Sequence, residues 1–238
     1  MSRRRKPAEH RLFAIGDIHG CVDELGTMLK AIAAGAGDRV VFVGDYIDRG
    51  PASCEVVELL LGYRNGPAEI ICLKGNHEDM LLNFLGLPGR YGDAFIFNGG
   101  SQTLASYGCT EAEPEELRGA LPQSHLSFFS GLRDSYRSDP FLFVHAGIQP
   151  GRPLGEQTVE DMLWIRQEFV LNEHQLGLTV VFGHTPMRTV MVDPPFKLGI
   201  DTGLVYGGKL SCIELTEGVL YQVSRGSHAV KKTAVDLG

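Results

Sequence analysis

Five short apolar segments of the 238-residue chain each end at a polar side chain that can bind a metal ion. They lack the alternation of polar and apolar residues, which is typical of strands covered on both faces of a sheet. One such segment is explained by a surface turn, because Gly and Asp form turns readily. Five in one chain indicate a shared site. The segments are RLFAIGDIHG (11–20), DRVVFVGDYIDRG (38–50), AEIICLKGNHE (68–78), FLFVHAGI (141–148) and LTVVFGHTP (178–186).

Helical patterns separate the first three segments. Residues 21–34 and 52–64 carry apolar side chains at helical spacing, and residues 79–85 continue as a helix after the third segment. An order of strand, helix, strand, helix and strand predicts parallel strands joined by right-handed crossovers. Ligands bind outside the carboxyl ends of such strands. The polar residues of the five segments are therefore expected along one edge of a sheet.

Length and composition predict one domain of α/β class. With 238 residues and 43% hydrophobic residues, the chain can bury one substantial core. We expect a flexible tail over 1–10, a single domain over 11–226 and a second tail over 227–238. The Gly-rich and aromatic stretch at about 86–135 is expected to form a cap with short amphipathic helices. The alternating stretch at 196–224 predicts antiparallel strands in a second sheet.

Charge and cysteine usage exclude several classes of protein. The formal net charge of -7 gives no basis for a nucleic-acid partner, and the basic cluster at 3–6 is expected to be a solvated tail. No apolar segment approaches the ~20 residues that a membrane span needs, and the apolar stretch at 12–15 is too short for a secretory signal. Five scattered cysteines without a CxxC pair predict reduced, mostly buried thiols. These features predict a cytoplasmic protein.

The side chains at the five strand ends form a set that suits divalent metal ions. They offer carboxylate, amide and imidazole groups without a thiolate, which fits Mn, Fe or Zn. Six ligands are too many for one catalytic ion with open positions, but they serve two ions that share a carboxylate. Each histidine alone is more often structural, whereas the set favours a metal site. The set is Asp17, His19, Asp45, Asn76, His145 and His184.

The charge balance of such a site favours a phosphate substrate. Two aspartates against two divalent ions leave a net charge of about +2, which attracts a phosphate monoester dianion. Water bound to a metal ion loses a proton near neutral pH, so that the nucleophile needs no Ser or Cys from the protein. The residues alone therefore predict metal-dependent hydrolysis of a phosphate ester.

The same segments resemble the phosphoprotein phosphatase (PPP) family, particularly its compact bacterial and phage-type members. The motifs GDIHG, GDYIDRG, GNHE, VHAG and GHTP occur in the order and spacing of that family, and the resemblance spans about residues 11–210. GDxxDRG together with GNHE is a highly specific combination. The resemblance implies a calcineurin-like metallophosphoesterase fold, which is a β-sandwich flanked by helices with two metals at the carboxyl ends of the strands.

The resemblance also implies how the ligands divide between the two ions, with one carboxylate bridging them. Mn²⁺ is expected first, with Fe and Zn open as alternatives. The ligands implied for the first ion are Asp17, His19 and Asp45, and those for the second are Asp45, Asn76, His145 and His184.

Further motif residues are expected to handle the substrate. His77 would protonate the leaving alkoxide, and Asp48 would orient that imidazole and hold its charge. A hydroxide held by both metals would attack phosphorus in line, without a phosphoenzyme intermediate. Arg49 is expected to bind phosphate oxygens through its guanidinium fork. Arg166 is the candidate for the second phosphate-binding arginine usual in the family, and Trp164 is interpreted as packing.

Two other stretches fit the bacterial members less specifically. Asn98 of FNGGSQTL (97–104) either touches substrate or holds a glycine turn, and the sequence does not separate these roles. Asp201 of GIDTGLVYGG (199–208) is interpreted as a structural hydrogen-bonding residue at a strand end.

The resemblance predicts a serine/threonine protein phosphatase, with dual specificity left open, that acts on phosphorylated proteins or peptides. The alternative is a symmetrical dinucleoside tetraphosphatase, a related hydrolase that shares the early motifs. Such enzymes favour an aspartate after GNH, where this chain has Glu78. A minor alternative is an inactive binding module, which the complete set of ligands does not favour.

Overall fold

The computed structural model describes residues 10–238, so that positions 1–9 of the expected amino-terminal tail lie outside the described residues. The described chain forms two sheets. The strands are β1 (Leu12–Ile15), β2 (Arg39–Phe42), β3 (Glu69–Cys72), β4 (Ser135–Ser138), β5 (Phe141–Val144), β6 (Thr179–Phe182), β7 (Met191–Asp193), β8 (Lys197–Gly199), β9 (Lys209–Glu214), β10 (Val219–Ser224) and β11 (Val230–Ala234).

Helices connect the strands or fill the middle of the chain. Short 3-10 turns and one π-helical turn (Ile96–Gly100) add to them. The α-helices are α1 (Val22–Ile32), α2 (Ser53–Tyr63), α3 (Asn76–Phe84), α4 (Ser101–Ser106), α5 (Pro114–Ala120), α6 (Gln123–Ser130), α7 (Val159–Trp164) and α8 (Gln167–Val170).

The predicted parallel unit is present in the first sheet. Its strand order is β11-β10-β9-β1-β2-β3, and β1, β2 and β3 are parallel, with α1 and α2 as crossovers. The second sheet has the order β4-β5-β6-β8-β7, in which β5, β6 and β8 are parallel. The carboxyl ends of β1, β2 and β3 therefore share one edge, and those of β5 and β6 share another.

Two expectations about the carboxyl-terminal part were wrong. The antiparallel strands β9 and β10 do not build a separate sheet, because β9 pairs with β1 and extends the first sheet. The segment 227–238, expected as a tail, contains β11, which pairs with β10 along Val219 to Val223. β11 is an exposed edge strand with lysines, the usual composition of a protected sheet edge, and it therefore lacks the apolar pattern of a strand.

Apolar layers hold the sheets and helices together. One cluster lies between the two sheets and includes Ala14, Val41, Phe143 and Val181. The alternate residues of β1 and β2 face α1 and α2, as Phe13 does. Because a strand points successive side chains to opposite faces, burial on both faces explains the continuous apolar runs of the sequence. This arrangement is the predicted β-sandwich flanked by helices.

The middle of the chain packs as short helices, as expected, although only part of it reaches the strand ends. The helices α4 and α6 pack on α2, and α6 also contacts α3. The π-helical turn and the start of α4 approach the loop after β2, where Gly99 and Thr103 contact Arg49 and Asp48. No helix within residues 10–238 has the length and apolarity to cross a membrane. The cysteines are unpaired, and Cys21, Cys72 and Cys212 are buried.

Candidate metal centre

All six predicted ligands meet where the carboxyl ends of the two sheets face each other. They come from the loops after β1, β2, β5 and β6 and from the first residue of α3, and each is at most 4% exposed. Two groups of possible ligand atoms are present, and within each group the atoms lie within 4.8 Å of one another: His19, Asp45 and His77 form one, and Asp45, His145 and His184 form the other. Asp45 belongs to both groups, as expected for a carboxylate that bridges two ions.

In the second group, nitrogen and oxygen atoms that can act as acceptors lie close together. His145 Nδ1 donates to the carbonyl of Val43 at 2.8 Å, so its Nε2 carries a lone pair. That nitrogen lies 3.0 Å from Asn76 Oδ1, 3.2 Å from His184 Nδ1 and 3.3 Å from Asp45 Oδ1. Asp45 Oδ1 also accepts from the backbone N–H of His77 at 3.2 Å, and His184 Nδ1 lies 2.8 Å from Asn76 Oδ1. Because His145 Nε2 and the oxygens of Asn76 and Asp45 are all acceptors, a cation between them would offset their mutual repulsion. This part of the site therefore fits a metal ion.

His19 is oriented in the same way on the other side of Asp45. Its Nδ1 donates to the carbonyl of Ile47 at 2.8 Å, which directs the Nε2 lone pair into the site. Arg49 Nη1 lies 2.7 Å from this nitrogen, and Asp45 Oδ2 lies 3.5 Å from it. Backbone carbonyls thus fix the tautomers of both His19 and His145, as outer contacts commonly do for metal-binding histidines.

Asp17 is a buried carboxylate with unmet bonding capacity. Its Oδ2 accepts from the backbone N–H of His184 at 3.0 Å, while Oδ1 is buried and has no hydrogen-bond partner among the described residues. Burial raises the pKa of Asp17 well above its usual range, and the carboxylates of Asp201 and Asp45 raise it further. A carboxylate in this position is costly as an anion unless a cation lies beside it.

The histidines divide into two electrostatic kinds. Burial lowers the pKa values of His19, to about 3, and of His145 and His184, so that these rings stay neutral and can ligate a metal. Burial acts in the same direction on His77, but the carboxylates of Asp45 and Asp48 outweigh it and raise the pKa. The raised pKa of His77 suits an imidazole that donates a proton rather than one that ligates a metal ion.

A chain of short hydrogen bonds supports His77. Its Nδ1 lies 2.6 Å from Asp48 Oδ2, and Thr103 Oγ1 donates to Asp48 Oδ1 at 2.6 Å. Ser53 Oγ accepts from the backbone N–H of Asp48 at 3.1 Å. His77 Nε2 is left without a partner among the described residues and lies 3.9 Å from Asp45 Oδ2. A substrate atom near Asp45 can therefore receive the Nε2 proton.

The loop after β2 is held by Glu78, in the first turn of α3. Its carboxylate accepts from the backbone N–H groups of Asp45 at 3.0 Å, Tyr46 at 2.8 Å and Gly75 at 2.8 Å. Glu78 is fully buried. It thus fixes the shape of the bridging-ligand loop.

Several side chains of the site are oriented by left-handed backbone conformations. Non-glycine residues rarely adopt positive φ, and such strain concentrates at functional sites. Two glycines are required by close approach: a Cβ at Gly75 would collide with Asp45, and one at Gly183 would collide with Asp17. The residues of the site with positive φ are His19 (47°), Asp45 (54°), Asp48 (70°), Arg49 (67°) and His184 (64°).

The two predicted phosphate-binding arginines lie on different sides of the site. Arg49 is next to His19, whereas Arg166 is exposed and donates from Nη1 to the carbonyl of His184 at 3.0 Å. Trp164 packs edge-on against His184, with ring centroids 6.3 Å apart, and its indole N–H has no partner among the described residues. Arg49 and Arg166 therefore flank the two ligand groups.

A pocket opens next to Arg49. It has a volume of about 440 Å³ and includes Asn98, whose Nδ2 donates to the carbonyl of Ala94 at 2.8 Å. Asn98 thus both holds its turn and faces the pocket. Asp201 accepts from the backbone N–H of Gly203 at 2.9 Å, the structural bond expected for it, and it also raises the pKa of Asp17.

Reasoning from the sequence missed two supporting residues. Thr103 was inside a quoted stretch, but its contact with Asp48 joins residues 55 positions apart. The sequence associates Glu78 with the choice of substrate, whereas its contacts in the structure are with the loop after β2. The signal that could have found Glu78 is its place in the third position of a helix, from which a glutamate can reach back to the residue before the helix.

The sequence and the fold match known proteins over most of the chain. Residues 10–214 match the family of calcineurin-like phosphoesterases. A bis(5'-nucleosyl)-tetraphosphatase PrpE (asymmetrical) of Bacillus thuringiensis (strain Al Hakam) is 28% identical over 232 residues, which cover 85% of this chain and 89% of that protein. A crystal structure of a candidate diadenosine tetraphosphatase superposes with a TM-score of 0.68 and 25% identity, covering 92% of this chain and 95% of the other.

A Saccharomyces cerevisiae protein serine/threonine phosphatase also has this fold, with a TM-score of 0.61, 14% identity and coverage of 96% of this chain and 81% of that one. The chain belongs to the calcineurin-like phosphoesterases. The predicted fold class and family are confirmed. Members of this family use divalent metals, and the two His/Asp groups are able to hold them.

Proposed function

We propose that the protein hydrolyses dinucleoside tetraphosphates to a nucleoside triphosphate and a nucleoside monophosphate, using two divalent metal ions. The observation that carries this proposal is the similarity to bis(5'-nucleosyl)-tetraphosphatases along nearly the full length of both chains. Cleavage breaks one P–O bond of the polyphosphate, and water supplies the oxygen to the attacked phosphorus. The leaving phosphate then takes up a proton.

The residues around the metal centre suit a chain of phosphates. Arg49 lies beside His19 in one ligand group, and Arg166 lies beside His184 in the other. A guanidinium fork matches phosphate oxygens and neutralises their charge. In this proposal the six residues of the predicted set would hold the ions, which when bound would polarise the attacked phosphate and activate water. The two arginines hold phosphates on either side, and His77 donates from Nε2 to the leaving group.

This proposal places a dinucleoside tetraphosphatase before the protein phosphatase that the sequence favours, and it replaces the symmetrical cleavage of the sequence-based alternative with asymmetrical cleavage. The preference for a protein phosphatase rested partly on Glu78, which stands where an aspartate was expected in a tetraphosphatase. Glu78 is fully buried and accepts from four backbone N–H groups, those of Asp45, Tyr46 and Ile47 in the loop after β2 and that of Gly75. Because this carboxylate faces the loop, its identity bears on loop geometry rather than on the choice of substrate.

A serine/threonine protein phosphatase is the second candidate function. It is favoured by the pairing of His77 with Asp48 at 2.6 Å, since protonation by a general acid matters most when the leaving group is an alkoxide. Phosphorylated proteins or peptides are the substrates in that case. Both candidates need the same two metal ions, of which Mn²⁺ is the first to test.

The test compares substrates on one preparation of the full-length protein. The protein is treated with chelator and reloaded with Mn²⁺, and initial rates are measured on diadenosine tetraphosphate, a phosphoserine peptide and a phosphotyrosine peptide. We expect the highest kcat/KM on the dinucleotide, with AMP and ATP formed in equal amounts.

The products and rates separate the alternatives. Formation of ADP alone would indicate symmetrical cleavage. A higher kcat/KM for phosphate release from a peptide would replace the proposal with the protein phosphatase. Absence of metal-dependent turnover on all three substrates would contradict both and favour a binding module.

A further inference from the structure

Two aromatic side chains next to the metal centre are unusually exposed. Phe97 has 92% of its surface exposed and Tyr206 has 64%. Aromatic rings contribute much of their stabilisation by being buried, and exposed ones that share a concave surface mark binding sites. Both rings line the pocket of about 440 Å³, whose other lining residues are Arg49, Asn98, Gly99 and Gln102.

Arg49 connects this aromatic pocket to the metal centre. Its Nη1 lies 2.7 Å from His19 Nε2, and its Cζ lies 5.5 Å from the ring centroid of Tyr206. The same guanidinium therefore faces the ligand group on one side and the aromatic pocket on the other. When a phosphate of the substrate lies at Arg49, the group attached to that phosphate can reach the aromatic pocket.

Short, constrained turns carry both rings. Gly99 adopts φ +105°, and a Cβ there would collide with the Cγ of Arg49. Its carbonyl accepts from the backbone N–H of Arg49 at 3.1 Å, which docks the turn that carries Phe97. Tyr206 ends a 3-10 turn bounded by Gly203 and Gly207, both with positive φ. Turns fixed in this way lose little conformational freedom when a ligand binds.

The pocket also contains amide groups with unused bonding capacity. Asn98 Nδ2 donates to the carbonyl of Ala94, so that its Oδ1 remains an acceptor. Gln102 Oε1 accepts from Ser101 Oγ at 3.0 Å, so that its Nε2 remains a donor. The edge of adenine offers the complementary pair, an amino donor and ring-nitrogen acceptors. Rings, amides and a guanidinium together match a base attached to a phosphate.

We propose that this aromatic pocket binds a purine base of the substrate, with Phe97 and Tyr206 as stacking surfaces and with Asn98 and Gln102 at the base edge. The inference rests on the proposed function, because it places one nucleoside of a dinucleoside tetraphosphate beside Arg49. A base stacked there helps to fix which phosphate lies over the metal centre. The pocket thus determines specificity for nucleosides over base-free phosphates.

The first experiment compares a substrate that has bases with one that has none. For each variant, kcat/KM is measured on diadenosine tetraphosphate and on inorganic tetraphosphate, and the ratio of the two is taken. We expect Phe97→Ala to lower this ratio by roughly 5- to 100-fold, the loss that corresponds to one stacked base. Phe97→Trp and Tyr206→Phe keep an aromatic ring and should keep the ratio near that of the wild type.

The matched control is Leu171→Ala, which removes another exposed apolar side chain, 75% exposed, outside the aromatic pocket. Its ratio should equal that of the wild type. Because Phe97 is almost fully exposed, Phe97→Ala should fold normally. A ratio for Phe97→Ala that equals the wild-type ratio, with both rates lowered alike or both unchanged, would overturn the base-binding role.

A second experiment separates this inference from the proposed function. Isothermal titration calorimetry on the Mn²⁺-loaded protein compares AMP with ribose 5-phosphate, and we expect AMP to bind at least ~5-fold more tightly in the wild type but not in Phe97→Ala. If AMP binds more tightly than ribose 5-phosphate but the protein hydrolyses only phosphopeptides, the base-binding role of the pocket is supported and the proposed function is contradicted. Equal affinities of AMP and ribose 5-phosphate in the wild type would overturn the pocket, whichever substrate is hydrolysed.

Discussion

The two ends of strands β1 and β2 differ in how they satisfy their acidic residues. At the amino end, Asp38 accepts from Arg11 Nε at 3.1 Å, from Arg11 Nη2 at 2.5 Å and from the backbone N–H of Arg11 at 2.9 Å. At the carboxyl end, Asp17 and Asp45 are nearly fully buried. No Lys or Arg nitrogen of the described chain lies within 4 Å of either carboxylate.

The difference shows which end is built for stability and which for binding. At the amino end the donors match the acceptors, so that the bonds of Asp38 favour the folded state by themselves. At the carboxyl end, acceptor atoms of His145, Asn76 and Asp45 converge, and no Lys or Arg side chain of the described residues neutralises the carboxylate. A cation there would offset the repulsion among these acceptors, so removing an acidic side chain should have opposite consequences at the two ends.

Asp17→Asn should have the largest effect on function. The substitution removes a negative charge from the predicted ligand set, so we expect bound metal to fall and hydrolysis to drop to background on every substrate. Metal content is measured by atomic emission spectroscopy after Mn²⁺ loading, alongside initial rates. Asp38→Asn is the matched control, because the same chemical change at the other end of the sheet should leave both metal content and rates near wild type.

The same variant should make the chelated protein more stable. Burial and the neighbouring carboxylates raise the pKa of Asp17 in the folded state, so the metal-free fold loses stability as pH rises above the unfolded pKa of ~3.9. Asparagine removes that loss. In chelator at pH 7 we expect Tm to rise by roughly 2 to 4 °C, equivalent to about 1 kcal/mol. An Asp17→Asn protein that is less stable than wild type under these conditions would contradict the charge imbalance.

His77→Asn should have the next largest effect, and one that depends on the leaving group. We expect kcat on a phosphoserine peptide to fall by ~10²- to 10⁴-fold, the contribution of a general acid, while metal content is retained. The fall on diadenosine tetraphosphate should be smaller, since a phosphate leaves more readily than an alkoxide. Equal falls on both substrates would show that His77 acts in some way other than protonating the leaving group.

Thr103→Val should have a moderate effect that acts through Asp48. The variant keeps the shape of the side chain but loses the 2.6 Å hydrogen bond from Thr103 Oγ1 to Asp48 Oδ1. A hydrogen bond to a charged group contributes about 1.5 to 3 kcal/mol, which corresponds to a fall in kcat of roughly 10- to 100-fold. Thr103→Ser, which restores a hydroxyl, should recover most of the rate. Failure of this rescue would remove Thr103 from the support of His77.

The convergence of the six predicted ligands was predictable because these residues follow a local rule. Asp17, Asp45, His145 and His184 each come within a few residues of the end of an apolar strand, and parallel strands bring such ends together. The boundary of α3 was less accurate: the helix begins at Asn76 rather than at 79. Asn76 and His77 therefore lie in its first turn, and the helix geometry, not the strand, aims them.

The surroundings of the site were not predictable, because they depend on contacts between distant parts of the chain. Thr103 meets Asp48 across 55 positions, and Tyr206 meets Arg49 across a still longer separation. Neither contact leaves a periodic pattern in the sequence. The pairing of β9 with β1 was missed for the same reason, since alternation identifies a strand but not its neighbour.

Asp38→Asn should change stability alone, with a pH dependence of opposite sign to that of Asp17→Asn. Burial opposes ionisation of Asp38, but the hydrogen bonds from Arg11 and Gly35 outweigh it and lower the pKa in the folded state. The ionised carboxylate therefore stabilises the fold fully above the unfolded pKa of ~3.9, and this contribution disappears as pH falls through the lowered folded pKa.

At pH 7 we expect Asp38→Asn to lower the free energy of unfolding by about 1 to 2 kcal/mol in urea titrations. The difference from wild type should shrink below about pH 4. A difference that stays constant down to pH 2 would mean that the carboxylate charge at this end contributes nothing, and the contrast between the two ends would then rest on the metal ligands alone.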